Sequence, residues 1–191
     1  MIGLLGGSFD PVHHGHLLVA QAVMAALGLE QLRVVPAREQ PFKRGRHRAP
    51  AEQRAQMVSL AIAGEAGFAL ERAELDRSGP SYTVDTLRAL TSREPDRRFV
   101  LLVGADAAAE LGQWREAEAI PALARIVVFA RPGAVVPVSP LIAERVTVPA
   151  VDISATEVRR RVGRGQSIRY WVPDAVAAFI AAQGLYASGD G

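Results

Sequence analysis

Short apolar segments that alternate with helix-forming segments constrain the fold of this chain most strongly. Six segments have the length and composition of buried strands. They are residues 1–5, 32–35, 68–70, 99–103, 126–129 and 146–148. Strands separated by helices predict a parallel sheet with helices on both faces. We therefore predict an α/β fold, a Rossmann-like doubly wound parallel sheet with a helical C-terminal lobe.

Helix signals fill the intervals between these strands. Apolar residues at helical spacing predict a helix over residues 14–27 that stops at Gly28. Pro50 fits the first turn of a second helix, and Ser81 or Thr83 is expected to cap a third. Further helices are predicted at 156–162 and 173–183. No linker divides the chain, so we expect one domain over 1–191 with its helical lobe from about residue 153.

Composition excludes several classes of protein. The chain is 49 % hydrophobic and 22 % charged, which is typical of a globular protein. It has no cysteine, so neither a disulfide framework nor a zinc–thiolate site is expected. A net charge of +2 does not indicate a general nucleic-acid binder. Since we find neither a signal peptide nor a membrane-spanning run, we predict a cytoplasmic protein without membrane or nucleic-acid partners.

One local basic cluster stands out against this balanced charge. Its members are Arg38, Lys43, Arg44, Arg46, His47 and Arg48, and Lys43 is the only lysine in the chain. Such a cluster is either a solvated loop of an arginine-rich protein or a loop that handles phosphate. The residues alone leave both interpretations open.

The segment GGSFDPVHHGH, residues 6–16, follows the first strand and runs into the first helix. Two glycines after a strand allow close approach of a phosphate, and free amides at the start of a helix favour an anion. His13 and His16 are three residues apart, so both can lie on one face and form a polyphosphate socket. The alternatives are a glycine turn with incidental histidines, or a metal site built from His13, His16 and Asp10.

A second segment, ISATEVR at residues 153–159, begins a helix near the C-terminus. Ser154 or Thr156 can cap that helix or donate to a phosphate, and Arg159 offers a forked donor one turn later. Taken alone, this segment is an ordinary helix start.

Together the two segments resemble the signatures of a nucleotidyltransferase superfamily, G-[ST]-F-[DN]-P-x-[HT]-x-G-H and I-S-[AST]-T-x-x-R. Within it, the chain is most similar to bacterial nicotinate-mononucleotide adenylyltransferases, and the resemblance extends from Gly6 to Tyr186. Further similar segments are PSYT at 80–83, GAD at 104–106, Trp114, RPG at 131–133 and QGLY at 183–186. Two positions depart from that family, since Phe42 stands before Lys43 and Arg115 follows Trp114 where a histidine and an aromatic residue are common.

The resemblance implies transfer of AMP from ATP to nicotinate mononucleotide, with Mg²⁺ held through the ATP phosphates and no metal site on the protein. It implies catalytic roles for His16, His13 and Arg159. The implied ATP-binding residues are Gly7, Ser8, Phe9, His13, His16, Gly104, Asp106, Ile153, Ser154, Thr156 and Arg159. The implied acceptor-binding residues are Lys43, Thr83, Trp114 and Arg131.

Several alternatives remain open at this stage. Asp106 is either a ligand contact or a favourable charge at the start of a helix, and Trp114 is either a stacking platform or a core anchor. A sister enzyme would accept nicotinamide mononucleotide or phosphopantetheine, and a non-catalytic nucleotide sensor would use the same fold. The sequence leaves the choice between monomer and homo-oligomer undecided.

Overall fold

One parallel sheet organises the molecule. The computed structural model describes residues 1–40 and 47–187. The strands within them are β1 (Ile2–Gly7), β2 (Gln31–Pro36), β3 (Phe68–Leu70), β4 (Phe99–Gly104), β5 (Ala124–Ala130) and β6 (Glu144–Thr147). Their order is β3-β2-β1-β4-β5-β6, and every pairing is parallel. This is the doubly wound Rossmann order, which confirms the predicted fold class.

Helices cover both faces of this sheet. They are α1 (His14–Leu27), α2 (Ala51–Ile62), α3 (Thr83–Arg93), α4 (Ala105–Ala109), α5 (Ile120–Leu123), α6 (Ala155–Gly163) and α7 (Asp174–Ala182). Helix α1 has the predicted bounds because Gly28 ends it in the left-handed conformation, at φ 57°. None of the helices in the described residues is both long and apolar enough to span a bilayer.

The central strands are buried on both sides, and alternate residues enter two separate cores. In β4, Val100 and Leu102 join one core, whereas Leu101 and Val103 join the other. Helices α1, α2, α6 and α7 pack on the first core, and α3, α4 and α5 pack on the second. Each fully buried Val or Leu contributes about 1.5–3 kcal/mol, so both helical layers are held firmly on the sheet.

Local details correct two expectations and decide between the two candidates for the cap of α6. Neither Ser81 nor Thr83 caps α3, because Tyr82 holds the cap position and the Ser81 hydroxyl accepts a hydrogen bond from the Arg38 amide at 3.0 Å. Ser154 rather than Thr156 caps α6, accepting from the Glu157 amide at 3.1 Å. The last strand begins at Glu144, two residues before the apolar run, because an edge strand can include exposed polar residues, and only Val146 of its four residues is buried.

The strand order fixes where a ligand can bind. In an open α/β sheet, ligands occupy the crevice beyond the carboxyl ends of the strands, where the strand order reverses. Here the order reverses between β1 and β4. Residues 8–13 follow β1 and Gly104 ends β4, so two of the sequence motifs meet at that crevice.

The single domain over 1–191 with a helical lobe from about 153 stays a prediction.

Candidate active site

A cleft of about 820 Å³ opens at the carboxyl ends of β1, β4 and β5. Every residue that the resemblance implies for ATP lines this cleft, and Arg131 lines it as well. They are Gly7, Ser8, Phe9, His13, His16, Gly104, Asp106, Ile153, Ser154, Thr156 and Arg159. The fold therefore brings together residues that lie up to 152 positions apart in the chain, from Gly7 to Arg159.

The turn after β1 is shaped by Gly7 and Phe9. Phe9 adopts a left-handed backbone at φ 48°, and its ring folds back over Gly7. A Cβ at Gly7 would lie 2.9 Å from the ring carbon Cζ of Phe9, so a side chain there would displace the ring. The Phe9 ring in turn meets the His16 ring edge-on, with 5.0 Å between centroids. Because Gly7 has no side chain, the Phe9 ring can pack over it and contact the His16 ring.

Asp10 is the buried junction of the site. Its carboxylate accepts hydrogen bonds from the amide of Arg48 at 2.7 Å, the amide of Ala49 at 3.2 Å and the hydroxyl of Tyr186 at 2.7 Å. Its main-chain carbonyl accepts from Arg159 Nη1 at 2.7 Å. Asp10 thereby ties the N-terminal motif to the segment before α2, to α6 and to the end of the described chain.

Arg54 holds the turn after β1 by hydrogen bonds to main-chain carbonyls. This arginine on α2 is 1 % exposed and donates to the main-chain carbonyls of Ser8, Ala49 and Arg38 at 2.6, 3.1 and 3.1 Å. Burial lowers the pKa of the guanidinium, whereas the charge of Asp10 opposes that shift. A buried arginine with three carbonyl partners fixes the backbone of the turn after β1.

His13 and His16 stack on each other, with 3.7 Å between ring centroids. His16 Nδ1 accepts a hydrogen bond from the His13 amide at 3.2 Å. A neutral imidazole whose Nδ1 accepts must carry its proton on Nε2, so His16 can donate Nε2–H to a ligand in the cleft. The two rings share one face, as the three-residue spacing predicts, although His13 precedes the helix as its cap residue.

Burial keeps both imidazoles neutral. It lowers the pKa of His13 to about 4, with the neighbouring His14 adding a smaller effect. It lowers the pKa of His16 to about 3, with His13 adding a smaller effect. At neutral pH the pair therefore supplies N–H donors rather than fixed positive charges.

The start of α1 differs from the expected row of free amides. The His14 amide donates to the Trp171 carbonyl at 3.0 Å, and the His16 amide donates to the His13 carbonyl at 2.9 Å. The His14 amide is occupied because Trp171 lies against the start of α1, and the His16 amide is occupied because it closes a local turn with His13. The histidine rings, rather than the His14 and His16 amides, are therefore the donors that this turn presents.

The second motif lies directly against the first. Ile153 presents its carbonyl 3.5 Å from the position that a Cβ would occupy on Gly15, and the same Cβ would lie 3.0 Å from His13 Nδ1. A side chain at Gly15 would therefore crowd the His13 ring, whereas its contact with the Ile153 carbonyl would be an ordinary one. Arg159 holds Asp10 through Nη1 and Thr156 Oγ1 through Nη2, the latter at 3.2 Å.

Asp106 and Arg131 line the cleft from positions just after β4 and β5. Asp106 lies in the first turn of α4 and lines the cleft, so both of its open interpretations stay compatible with its position. Arg131 follows β5 and lines the same cleft, and its role in acceptor binding stays a prediction.

The remaining acceptor candidates lie apart from this cleft. Thr83 is the first residue of α3, and Trp114 is half-buried against the second core; neither lines the cleft. Arg115, the residue that replaces an aromatic side chain, lies over the Tyr82 ring at 4.9 Å and 3.5 Å from Asp85. This contact joins the loop of Trp114 to the start of α3. Lys43 lies outside the described residues.

The metal-site alternative is not supported by the arrangement of donors. The Asp10 carboxylate is engaged by Arg48, Ala49 and Tyr186. Within residues 1–40 and 47–187, no three His, Cys, Asp or Glu side chains are grouped so that they could hold a metal ion.

Sequence reasoning missed two supporting contacts. Arg54 reads as one more arginine in an amphipathic helix, and only its burial reveals its role. Ser8 was expected to face phosphate, but its hydroxyl donates to Gln40 Oε1 at 2.7 Å, and Gln40 also lines the cleft. No periodicity or motif marks either contact, because both partners come from distant segments.

Comparison with known proteins agrees with this geometry. The cytidylyltransferase-like family model matches residues 4–161, which include both motifs. The chain thus belongs to a class of nucleotidyltransferases.

Relatives narrow that class. A protein of Roseiflexus sp. (strain RS-1) is 47 % identical over 97 % of both chains, and one of Thermus thermophilus is 46 % identical over 97 % of this chain and 98 % of its own. Both are named probable nicotinate-nucleotide adenylyltransferases. The fold also matches a Plasmodium falciparum nicotinic acid mononucleotide adenylyltransferase complexed with NaAD, with a TM-score of 0.80, 19 % identity and 98 % coverage of both chains. The chain belongs to the cytidylyltransferase-like family and, within it, to the nicotinate-nucleotide adenylyltransferases.

The buried histidines predict a specific dependence of stability on pH. In the unfolded chain His16 has the ordinary histidine pKa of 6.5, whereas in the folded protein its pKa is about 3. Since the unfolded state binds more protons below pH 6.5, the free energy of unfolding falls as pH falls. At pH 5 this effect amounts to about 2 kcal/mol for His16.

Urea unfolding at pH 7.5 and pH 5.0 measures this effect. We expect the wild type to lose about 2 kcal/mol more than His16→Gln between the two pH values. The comparison of the two proteins cancels the carboxylates that both share. An equal loss in both would contradict the assignment of a buried neutral His16.

Proposed function

We propose that the protein transfers the adenylyl group of ATP to nicotinate mononucleotide, releasing pyrophosphate and forming nicotinate adenine dinucleotide for NAD biosynthesis. The observation that carries the proposal is the meeting of the His13–His16 pair with Arg159 in one cleft, together with the family membership. We further propose a cytoplasmic location, with ATP and nicotinate mononucleotide as partners and no nucleic-acid partner.

The chemistry requires positioning and charge neutralisation rather than a covalent enzyme intermediate. A phosphate oxygen of the acceptor attacks the α-phosphorus of ATP, and the bond from that phosphorus to the oxygen bridging to the β-phosphate breaks. Charge develops on the α-phosphate oxygens during this exchange. His16 donates its Nε2–H to such an oxygen, and a donor fixed by the His13 amide needs little reorganisation.

The other cleft residues divide around the nucleotide. His13 lies beside His16 on the phosphates, and Arg159 offers its guanidinium to the triphosphate while it remains anchored to Asp10. The loop of Gly7, Ser8 and Phe9 faces the triphosphate from one side. Ile153, Ser154 and Thr156 face it from the other side, and Gly104 and Asp106 line the nucleoside end.

We assign the acceptor to the side of the cleft that leads toward α3. Trp114 would stack on the pyridine ring, and Thr83 would present main-chain amides at the start of α3. Arg131 and Lys43 would neutralise the acceptor phosphate.

The site suits a divalent cation that is bound by the substrate ATP and not by protein side chains. Within the described residues there is no cluster of three metal-ligating side chains, and the cleft instead holds donors that suit phosphate. We propose Mg²⁺, bound chiefly by the ATP phosphates. When bound, Mg²⁺ would neutralise the charge of the triphosphate.

A role as a non-catalytic nucleotide sensor is the competing function from another class. The site argues against it, because the His13–His16 pair and Arg159 are present and supported by buried partners. Turnover assays with ATP and nicotinate mononucleotide, nicotinamide mononucleotide or phosphopantetheine, read by pyrophosphate release, separate these candidates. Absence of pyrophosphate with every acceptor would support the sensor.

His16→Ala tests the assigned donor. Loss of the Nε2–H donor should lower kcat by about 10²-fold or more. His14→Ala is the matched control, because His14 is adjacent in sequence but does not line the cleft. The measurement is steady-state pyrophosphate release, with Tm recorded for each variant. Near-normal turnover of His16→Ala at an unchanged Tm would refute its catalytic role.

The choice of pyridine tests the acceptor side. Nicotinate is an anion, whereas the nicotinamide amide needs an acceptor for its NH₂ group. Asp85 is the nearest carboxylate in the α3 sequence, but it already contacts Arg115 at 3.5 Å and Arg88 at 3.9 Å. Unpaired donors in a closed site cost about 1–3 kcal/mol each, so the amide should bind less well.

We expect kcat/KM for nicotinate mononucleotide to exceed that for nicotinamide mononucleotide at least about tenfold at matched ATP. Trp114→Ala should lower kcat/KM more for nicotinate mononucleotide than for nicotinamide mononucleotide, because it removes the stacking surface. Equal efficiencies for the two mononucleotides would exclude this specificity but leave adenylyl transfer standing.

A further inference from the structure

The end of the described chain reaches back into the active site. Tyr186 donates its hydroxyl to Asp10 Oδ1 at 2.7 Å, across 176 positions of sequence. The family model matches residues 4–161 only, so Tyr186 lies beyond the matched region. None of the functional roles assigned above involves its phenol.

The turn after α7 holds Tyr186 in this position. Gly184 adopts a left-handed backbone at φ 61°, and the Leu185 amide returns to the Ile180 carbonyl at 3.0 Å. Leu185 and Tyr186 then pack against the first core. Burial, reinforced by the Asp10 carboxylate, raises the pKa of the Tyr186 phenol. The hydroxyl therefore remains a donor at physiological pH.

Asp10 passes this restraint to the phosphate-binding residues. Its two carboxylate oxygens are held by the Arg48 and Ala49 amides and by Tyr186. Its main-chain carbonyl is the acceptor for Arg159 Nη1 at 2.7 Å. The orientation of the Arg159 guanidinium therefore depends on where Asp10 is fixed. Asp10 also lies one residue after Phe9, which contacts His16.

We propose that Tyr186 is a positioning residue of the transfer reaction, which holds Asp10 so that Arg159 points at the triphosphate. This inference rests on the proposed adenylyl transfer. A guanidinium that is free to shift would still bind ATP, because it can follow the ground-state phosphates. It would stabilise the transition state less well, since that stabilisation needs fixed geometry.

A purely structural role predicts a different result. Tyr186→Phe keeps the ring that packs against the core and removes only the hydroxyl. If the hydroxyl serves stability alone, Tm falls and kcat stays unchanged at temperatures where the variant is folded. If it serves positioning, kcat falls about tenfold while both KM values change less than about threefold. The separation of kcat from KM and Tm therefore distinguishes the two roles.

Steady-state kinetics of wild type, Tyr186→Phe and Tyr170→Phe, well below the Tm of each, test the proposal. Tyr170 is 76 % exposed and is the matched control, since it also loses only a hydroxyl. Turnover by the wild type is read first, so failure of the proposed function is seen separately from failure of this inference. A Tyr186→Phe kcat within about twofold of the wild type would overturn the proposal.

A double-mutant cycle with Arg159→Gln tests the route. If Tyr186 acts through Arg159, adding Tyr186→Phe to Arg159→Gln should change kcat by less than about twofold. A loss in the Arg159→Gln background as large as that in the wild type would show that the hydroxyl acts elsewhere, and would overturn the proposed route.

Discussion

The buried carboxylate of Asp10 is the interaction on which the active-site arrangement depends. Hydrogen bonds from the Arg48 and Ala49 amides and from Tyr186 satisfy the carboxylate, and Arg159 binds the carbonyl of the same residue. A buried carboxylate that lost these partners would incur a large desolvation cost. Three distant segments are therefore held at the turn after β1, and the cleft forms between them.

A neutral pair of histidines follows from the same packing. Trp171 and Ile153 pack at the start of α1, where His13 is buried and His16 is half-buried, and this burial lowers the pKa values of the two histidines to about 4 and about 3. The site thus offers fixed N–H donors whose charge does not change in the physiological range. Positive charge comes instead from arginine, which cannot lose its proton there. In this cleft the histidines therefore supply neutral N–H donors, and arginine supplies the positive charge.

The fold was predictable because strand and helix patterns alternate and glycines mark their ends. The helix over residues 14–27 and the strand over 68–70 have their predicted bounds. The cap of α3 was predicted wrongly because Ser81 is recruited by the distant Arg38 amide. The meeting of the two motifs in one cleft follows from strand order, but the support from Arg54 and Tyr186 does not. Those contacts depend on burial between segments far apart in sequence, which no local pattern records.

A crystal structure with a non-hydrolysable ATP analogue tests the central claim most directly, namely that the cleft between the two motifs holds the triphosphate. We expect an α-phosphate oxygen at about 2.7–3.2 Å from His16 Nε2. We also expect Arg159 to contact a phosphate while it keeps its bond to the Asp10 carbonyl. A triphosphate bound outside this cleft, or an adenine in contact with His16, would contradict the account.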